Sequence, residues 1–152
     1  MPPRRAPFFV VKNSPVHGLG AFALRPIRRG TRVAEYLGER ISAEEASRRY
    51  DDDATANPHV WLFGVDEHTV LDAAVGGSDA MYINHCCDPN CETEVVDGRV
   101  FVRAIRTIGI GEELSYDYHL EYDGEQTDEV RKKFACLCGA TNCRGTMLEP
   151  PK

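Results

Sequence analysis

"INHCCDPNCE", residues 83–92, packs Asn84, His85 and three cysteines into ten residues, with a Pro-Asn turn before the third sulfur. A generic apolar core has no use for that density of polar and sulfur side chains. What these sulfurs meet elsewhere in the chain decides the fold.

The other cysteines stand in "CLCGATNC", residues 136–143, where Cys136, Cys138 and Cys143 are spaced C-x-C-x4-C. Three thiolates are one short of the tetrahedral set that zinc prefers, and one cysteine of the 83–92 segment completes it. A shared ion would staple the carboxyl-terminal tail, which has few apolar residues, onto the body. The alternative is a free or redox-active thiol set. The amino terminus, "MPPRRAPFFVV", has too short an apolar stretch for a signal peptide, so the expected compartment is the reducing cytoplasm. There, clustered cysteines bind metal or do redox chemistry rather than form lasting disulfides. The two left over in the 83–92 segment are expected as small buried side chains.

A chain of 152 residues suits one domain with one core. Hydrophobic residues at 42% and charged residues at 28% fit a soluble globular protein. No apolar run approaches the ~20 residues that span a bilayer, so no membrane partner is expected. The net charge of −6 is unevenly spread: residues 50–130 carry nineteen acids against three bases. That middle segment disfavours direct nucleic-acid binding, which needs clustered cations. It suits a basic peptide partner, although a solvated acidic surface would look the same.

Local patterns read mainly as short strands. "FFVVKNS" (8–14), the run after Gly18-Leu19-Gly20, the stretch after Arg29-Gly30, "HVWLFGV" (59–65) and "TVLDAAV" (69–75) are all β-prone. "TEVVDGRVFVRAI" (93–105) flanks Asp97-Gly98 with alternating runs, a type I′ hairpin signature. "GEELSYDYHL" (111–120) reads as a turn and a strand. Ser42 with Glu45 forms a capping box that predicts a short helix to about Tyr50. A helical turn is expected over Ser78–Met81. Nothing alternates as βαβ, so a doubly wound nucleotide-binding sheet is not expected, and the isolated Gly18-x-Gly20 does not restore it. The organisation expected is a flexible tail (1–7), a domain (8–120), a charged connector (121–135) and a cysteine-rich segment (136–148).

Taken in order, "HGLGAFA", "IRRGTRVAEYLGE", "VLDA", "YINHCCDPNCE", "IGIGEELSYDY" and "CLCGATNCRG" resemble the SET-domain family of protein lysine methyltransferases. The resemblance covers about residues 10–146. It implies a mainly β fold of small curled sheets, in which the Asn-His segment threads a pseudoknot and a post-SET tail binds zinc. No cysteine-rich stretch precedes the domain, so a minimal SET plus post-SET form without a pre-SET region is expected. Two departures stand out: Met81 where the family usually has Arg, and Cys86 where it has Ser.

The resemblance also implies roles. His17, Gly18, Leu19 and Gly20 match the loop that approaches S-adenosylmethionine, and glycine lets backbone come close because no Cβ intervenes. Asn84 and His85 match the residues that hold this cofactor, and Leu137 falls where the tail packs on its adenine. Tyr118 matches the catalytic tyrosine, which also borders the cofactor. Tyr36 matches a lining residue of the lysine channel. Tyr116 stands where the family tunes methyl number, so a mono- or dimethyl product is expected. Cys87, Cys136, Cys138 and Cys143 match the four zinc ligands.

The chemistry wants such residues. Methyl transfer to lysine needs a neutral amine, and free lysine titrates near ~10.4. An apolar channel beside a sulfonium disfavours the ammonium form. Alignment is then the main task, and tyrosine rings and hydroxyls serve it. The implied substrate is a histone tail or another Lys/Arg-rich protein, with action at chromatin if it is a histone. The rivals are a methyltransferase for a non-histone protein and a catalytically silent SET-like binding module.

Overall fold

The computed structural model describes residues 7–15, 18–49, 62–119 and 125–148. Among these residues ten short strands dominate: β1 (Phe9–Asn13), β2 (Leu19–Ala23), β3 (Arg32–Tyr36), β4 (Glu39–Ser42), β5 (Leu62–Gly64), β6 (Thr69–Asp72), β7 (Asn84–His85), β8 (Cys91–Val96), β9 (Arg99–Ala104) and β10 (Ser115–Tyr116). Two short helices, α1 (Ala43–Arg49) and α2 (Asp128–Lys133), and a 3₁₀ turn over Asp79–Tyr82 complete them. The fold is mainly β, as expected. Among the described residues no helix is long and apolar enough to cross a membrane.

The strands form four small sheets, ordered β1-β2, β3-β9-β8, β4-β6-β5 and β10-β7. The β8–β9 hairpin turns at Asp97 and Gly98, with φ of 52° and 75°. Positive φ at both central residues is what a type I′ turn requires. Strand β9 shows the period-2 pattern plainly: Val100, Val102 and Ala104 are fully buried, while Arg99, Phe101 and Arg103 alternate outward. Ile27 and Ile108 bridge the interior by exchanging both backbone hydrogen bonds, at 2.9 and 2.8 Å. With Ile83, Leu114 and Leu71 they fill one core, each such side chain worth about 1.5–3 kcal/mol of burial.

Several elements differ from the sequence expectations. The run after Gly30 is broken into β3 and β4 at Leu37-Gly38, because Gly38 lies on the backbone of Asp72; a Cβ there would sit 2.6 Å from the Asp72 carbonyl carbon. Strand β6 stops at Asp72, whose carboxylate takes the Ala74 N–H and turns the chain early. The capping box is half formed. Ser42 Oγ accepts from Glu45 N–H at 3.0 Å, but the Glu45 carboxylate pairs with Arg48 and Arg49. Tyr50 and residues 59–61 lie outside the described residues. The strand expected over "SYDYHL" shrinks to Ser115–Tyr116. The connector carries α2, capped by Thr127 Oγ1 accepting from Val130 N–H. Just past the cysteines the tail does reach a core: Thr146, Met147 and Leu148 are buried, and Met147 N–H donates to the Phe134 carbonyl at 2.7 Å.

Candidate active site and thiolate cluster

Strands β7 and β10 pair in parallel, setting Asn84 opposite Ser115 and His85 opposite Tyr116. A two-residue ladder is weak alone. Buried Asn90 reinforces it, donating from Nδ2 to the Glu113 carbonyl and accepting the Ser115 N–H on Oδ1, both at 2.9 Å. This crossing brings the Asn-His pair beside Tyr116 and Tyr118.

Tyr118 is held at both ends. Its hydroxyl donates to the Ile83 carbonyl at 2.6 Å, and its N–H donates to His85 Nδ1 at 3.0 Å. The second bond assigns the tautomer: neutral His85 carries its hydrogen on Nε2, which lies 3.5 Å from Cys87 Sγ. The Tyr118 ring stands edge-on to His85 and tilts against Tyr116, at centroid distances of 5.3 and 4.9 Å. Tyr36 is buried, with its ring 5.2 Å from Phe63.

Burial pushes the Tyr36 phenol well above its ordinary range, and the Asp72 charge adds to it. Burial does the same to Tyr116, helped by the other two tyrosines. For Tyr118, burial leads, followed by Tyr36 and the nearby Glu113 carboxylate. The three form a cluster of neutral phenols at physiological pH. Such groups orient a nucleophile; they do not serve as bases.

Asn84 Nδ2 donates to the Leu19 carbonyl at 3.1 Å and to Glu113 Oε2 at 2.9 Å. It thereby joins β7 to the turn that carries Gly18, Leu19 and Gly20. Gly18 has φ of 46°, and a Cβ on Gly20 would come within 2.4 Å of Glu113 Oε2. Gly20 thus lets the chain lie against the Glu113 and Ser14 side chains, where a larger residue would clash, while the Cβ position of Gly18 faces open space. His17 lies outside the described residues.

The Sγ atoms of Cys87, Cys136, Cys138 and Cys143 all lie within 4.8 Å of one another. A tetrahedral thiolate set with metal–sulfur bonds of about 2.3 Å needs sulfurs roughly 3.8 Å apart. The Cys87–Cys136 separation is 3.7 Å, so the group is close enough to share one ion. Backbone N–H groups of Arg144 and Gly145 point at Cys87 Sγ and Cys143 Sγ, each at 3.4 Å. Burial works to raise the Cys138 thiol. Backbone donors of Cys87 and Ala140, with the Cys136 and Cys143 thiols, outweigh it and bring Cys138 down to about 6. Cys91 is buried as expected, and that burial pushes it up to about 12. Cys86 is only half-buried, its sulfur accepting from Asp88 N–H. Leu137, between two cluster cysteines, is 67% exposed.

Four contributors went unnoticed in the sequence. Arg144 grips Asp117, next to Tyr118, and so binds the tail to the tyrosine cluster. Glu113 ties Asn84 to Ser14. An arginine following the last cysteine and an acid preceding Tyr118 were the available signals for the first pair.

A sequence profile described as "SET domain" matches residues 18–119. The histone-lysine N-methyltransferase trr of Drosophila melanogaster is 42% identical over 139 residues, 89% of this chain and 6% of the relative. An H3 lysine-4 specific histone-lysine N-methyltransferase of Saccharomyces cerevisiae is 40% identical over 149 residues, 93% of this chain and 13% of the relative. Human histone-lysine N-methyltransferase 2D is 38% identical over 139 residues, 89% of this chain and 2% of the relative. This chain therefore spans only a small part of the length of these curated relatives. With a profile match across two-thirds of its length, the chain belongs to the SET-domain family.

Proposed function

We propose that the chain is an S-adenosylmethionine-dependent protein-lysine N-methyltransferase acting on a histone tail or a similar Lys/Arg-rich segment. The observation that carries this is the placement of Tyr118. Its hydroxyl donates to the Ile83 carbonyl, its N–H donates to His85, and its ring packs against Tyr116 and His85, with Tyr36 and Glu113 near enough to act on the phenol. The matched SET profile supports it, as do the names of the relatives.

The donor, when bound, supplies an electrophilic methyl on a sulfonium. The chain's own residues do the rest. Gly18 leaves backbone open to it, and Asn84 braces that turn through the Leu19 carbonyl. Tyr36 and Tyr116 wall the approach of the lysine, and their burial keeps water out. Low polarity there favours the neutral amine. Tyr118 directs the amine's lone pair and takes no proton, since its phenol stays protonated. The near-attack geometry this requires is about 3–3.5 Å between reacting atoms. Tyr116 restricts the product to mono- or dimethyl-lysine.

The metal read for the four sulfurs is zinc, which suits an all-thiolate tetrahedron without redox chemistry. Cys87 on the body and Cys136, Cys138 and Cys143 on the tail would hold it. Leu137, exposed beside them, is available to cover an adenine. The domain is read as residues 8–120, with 121–135 as connector and 136–148 as the metal-binding segment. A histone substrate puts the site of action at chromatin; nothing in the relatives favours the cytoplasmic expectation.

The test is labelled methyl transfer from S-adenosylmethionine to core histones and to a ribosomal-protein fraction, with the modified residue mapped. Label on a histone lysine, absent with Tyr118→Phe, is expected. Label on the ribosomal fraction alone would sink the histone reading. No transfer to any protein would favour a silent binding module.

A further inference from the structure

The Glu113 carboxylate has an environment that the roles above do not use. Ser14 Oγ lies 2.9 and 2.8 Å from its two oxygens, and Asn84 Nδ2 lies 2.9 Å from Oε2. Ser14 has a single hydroxyl hydrogen to share between them. Both partners are neutral donors. Among the described residues, the ion pairs all join other acids to arginine or histidine. Among the described residues Glu113 therefore presents a carboxylate that Ser14 and Asn84 contact and no arginine or lysine pairs.

Its place gives that carboxylate a purpose. Gly20 is so close that an added Cβ would meet Oε2 at 2.4 Å. Asn84 divides its amide hydrogens between this carboxylate and the Leu19 carbonyl. The head of the turn is thus lined with acceptors: a carboxylate and a backbone carbonyl. A phosphate would be repelled from such a corner. An ammonium, with three donors and a positive charge, is what it fits.

We propose that Glu113 is a cofactor-binding residue whose carboxylate receives the α-ammonium of the S-adenosyl donor, so that the site selects an amino-acid-bearing nucleoside over a phosphorylated one. This rests on the reading of the chain as S-adenosylmethionine-dependent. The alternative role for Glu113 is purely internal: to brace Asn84 and Ser14.

Calorimetric binding to the metal-loaded chain separates the two. The probes are S-adenosylhomocysteine and its deaminated analogue, in which hydrogen replaces the ammonium. Wild type is expected to prefer S-adenosylhomocysteine. Glu113→Gln should weaken S-adenosylhomocysteine roughly ten- to hundredfold, the range of a hydrogen bond to a charged group. It should leave the deaminated analogue within about twofold, which also reports an intact fold. Equal weakening of both ligands would mean an internal role and overturn the proposal, as would unchanged binding of S-adenosylhomocysteine. If Glu113→Gln does not fold, Glu113→Asp withdraws the charge by one methylene and should shrink the same preference; an undiminished preference would overturn it. Failure of wild type to bind either ligand would instead remove the cofactor reading, and this inference with it.

Discussion

Arg144 holds Asp117 with both terminal nitrogens, Nη1 to Oδ2 at 2.8 Å and Nη2 to Oδ1 at 3.3 Å. The pair bridges the cysteine-rich tail and the residue next to Tyr118. Burial works against the Asp117 charge. The Arg144 guanidinium and the His119 N–H outweigh it and hold the carboxyl below its usual range. Arg144→Ala leaves that carboxylate half-buried without its fork. A loss of about 1–3 kcal/mol in urea unfolding is expected, together with reduced methyl transfer. Arg144→Lys should recover little of either, because an ammonium cannot match the planar two-point contact.

The tyrosine cluster sets a pH dependence. Tyr36, Tyr116 and Tyr118 have folded-state values raised by burial, so the folded state keeps protons that the unfolded chain releases near ~10. Their neutral form favours folding fully below that value, and the benefit is lost as pH rises beyond it. Alkaline titration followed by near-ultraviolet absorbance should show a late phenolate class that appears only with unfolding. Replacing the three tyrosines by phenylalanine should remove that class. The methylation rate should show no limb from phenol ionisation near neutral pH.

Tyr116→Phe should raise the methylation state of the product while leaving the target lysine unchanged. Mass spectrometry of a modified histone peptide checks it. An unaltered product distribution would contradict the role given to the Tyr116 hydroxyl. Tyr118→Phe, by contrast, should lower kcat about a hundredfold, as a misplaced nucleophile does.

Gly38→Ala tests the break between β3 and β4. The added Cβ would meet backbone atoms of Asp72 and Ala73 at 2.6 to 2.8 Å. Backbone cannot yield as a side-chain tip can, so about 1–3 kcal/mol of destabilisation is expected in denaturant. The cysteine cluster lies on other segments, so metal content should be unchanged.

What the sequence disclosed follows the range of the interactions involved. The Asp97-Gly98 hairpin and the Ser42 cap were legible because their chemistry is local: two residues with positive φ, and one hydroxyl on one N–H. The break at Gly38 was not, because it comes from Asp72, a distant residue whose backbone lies against it. Nor was the shortness of β10. Two residues pairing with Asn84 and His85 leave no periodicity to read. In the site, the tail sulfurs declared themselves by spacing, and the resemblance named Cys87 as their partner; the structure gathers all four. The Arg144–Asp117 and Ser14–Glu113 contacts stayed hidden, since a charged or hydroxyl residue carries no mark of its partner. Burial of Met147 and Leu148 behind the cysteines was missed because two apolar residues make no pattern.

The central claim is that one ion, held by Cys87 and the three tail sulfurs, seats the tail over the donor site. Metal content and S-adenosylhomocysteine affinity, measured on the same sample before and after chelation, test it directly. The expected result is one zinc per chain and at least a tenfold loss of affinity when it is removed, reversed on adding zinc back. A chain that purifies without bound metal, or binds the ligand equally well once stripped, would contradict it.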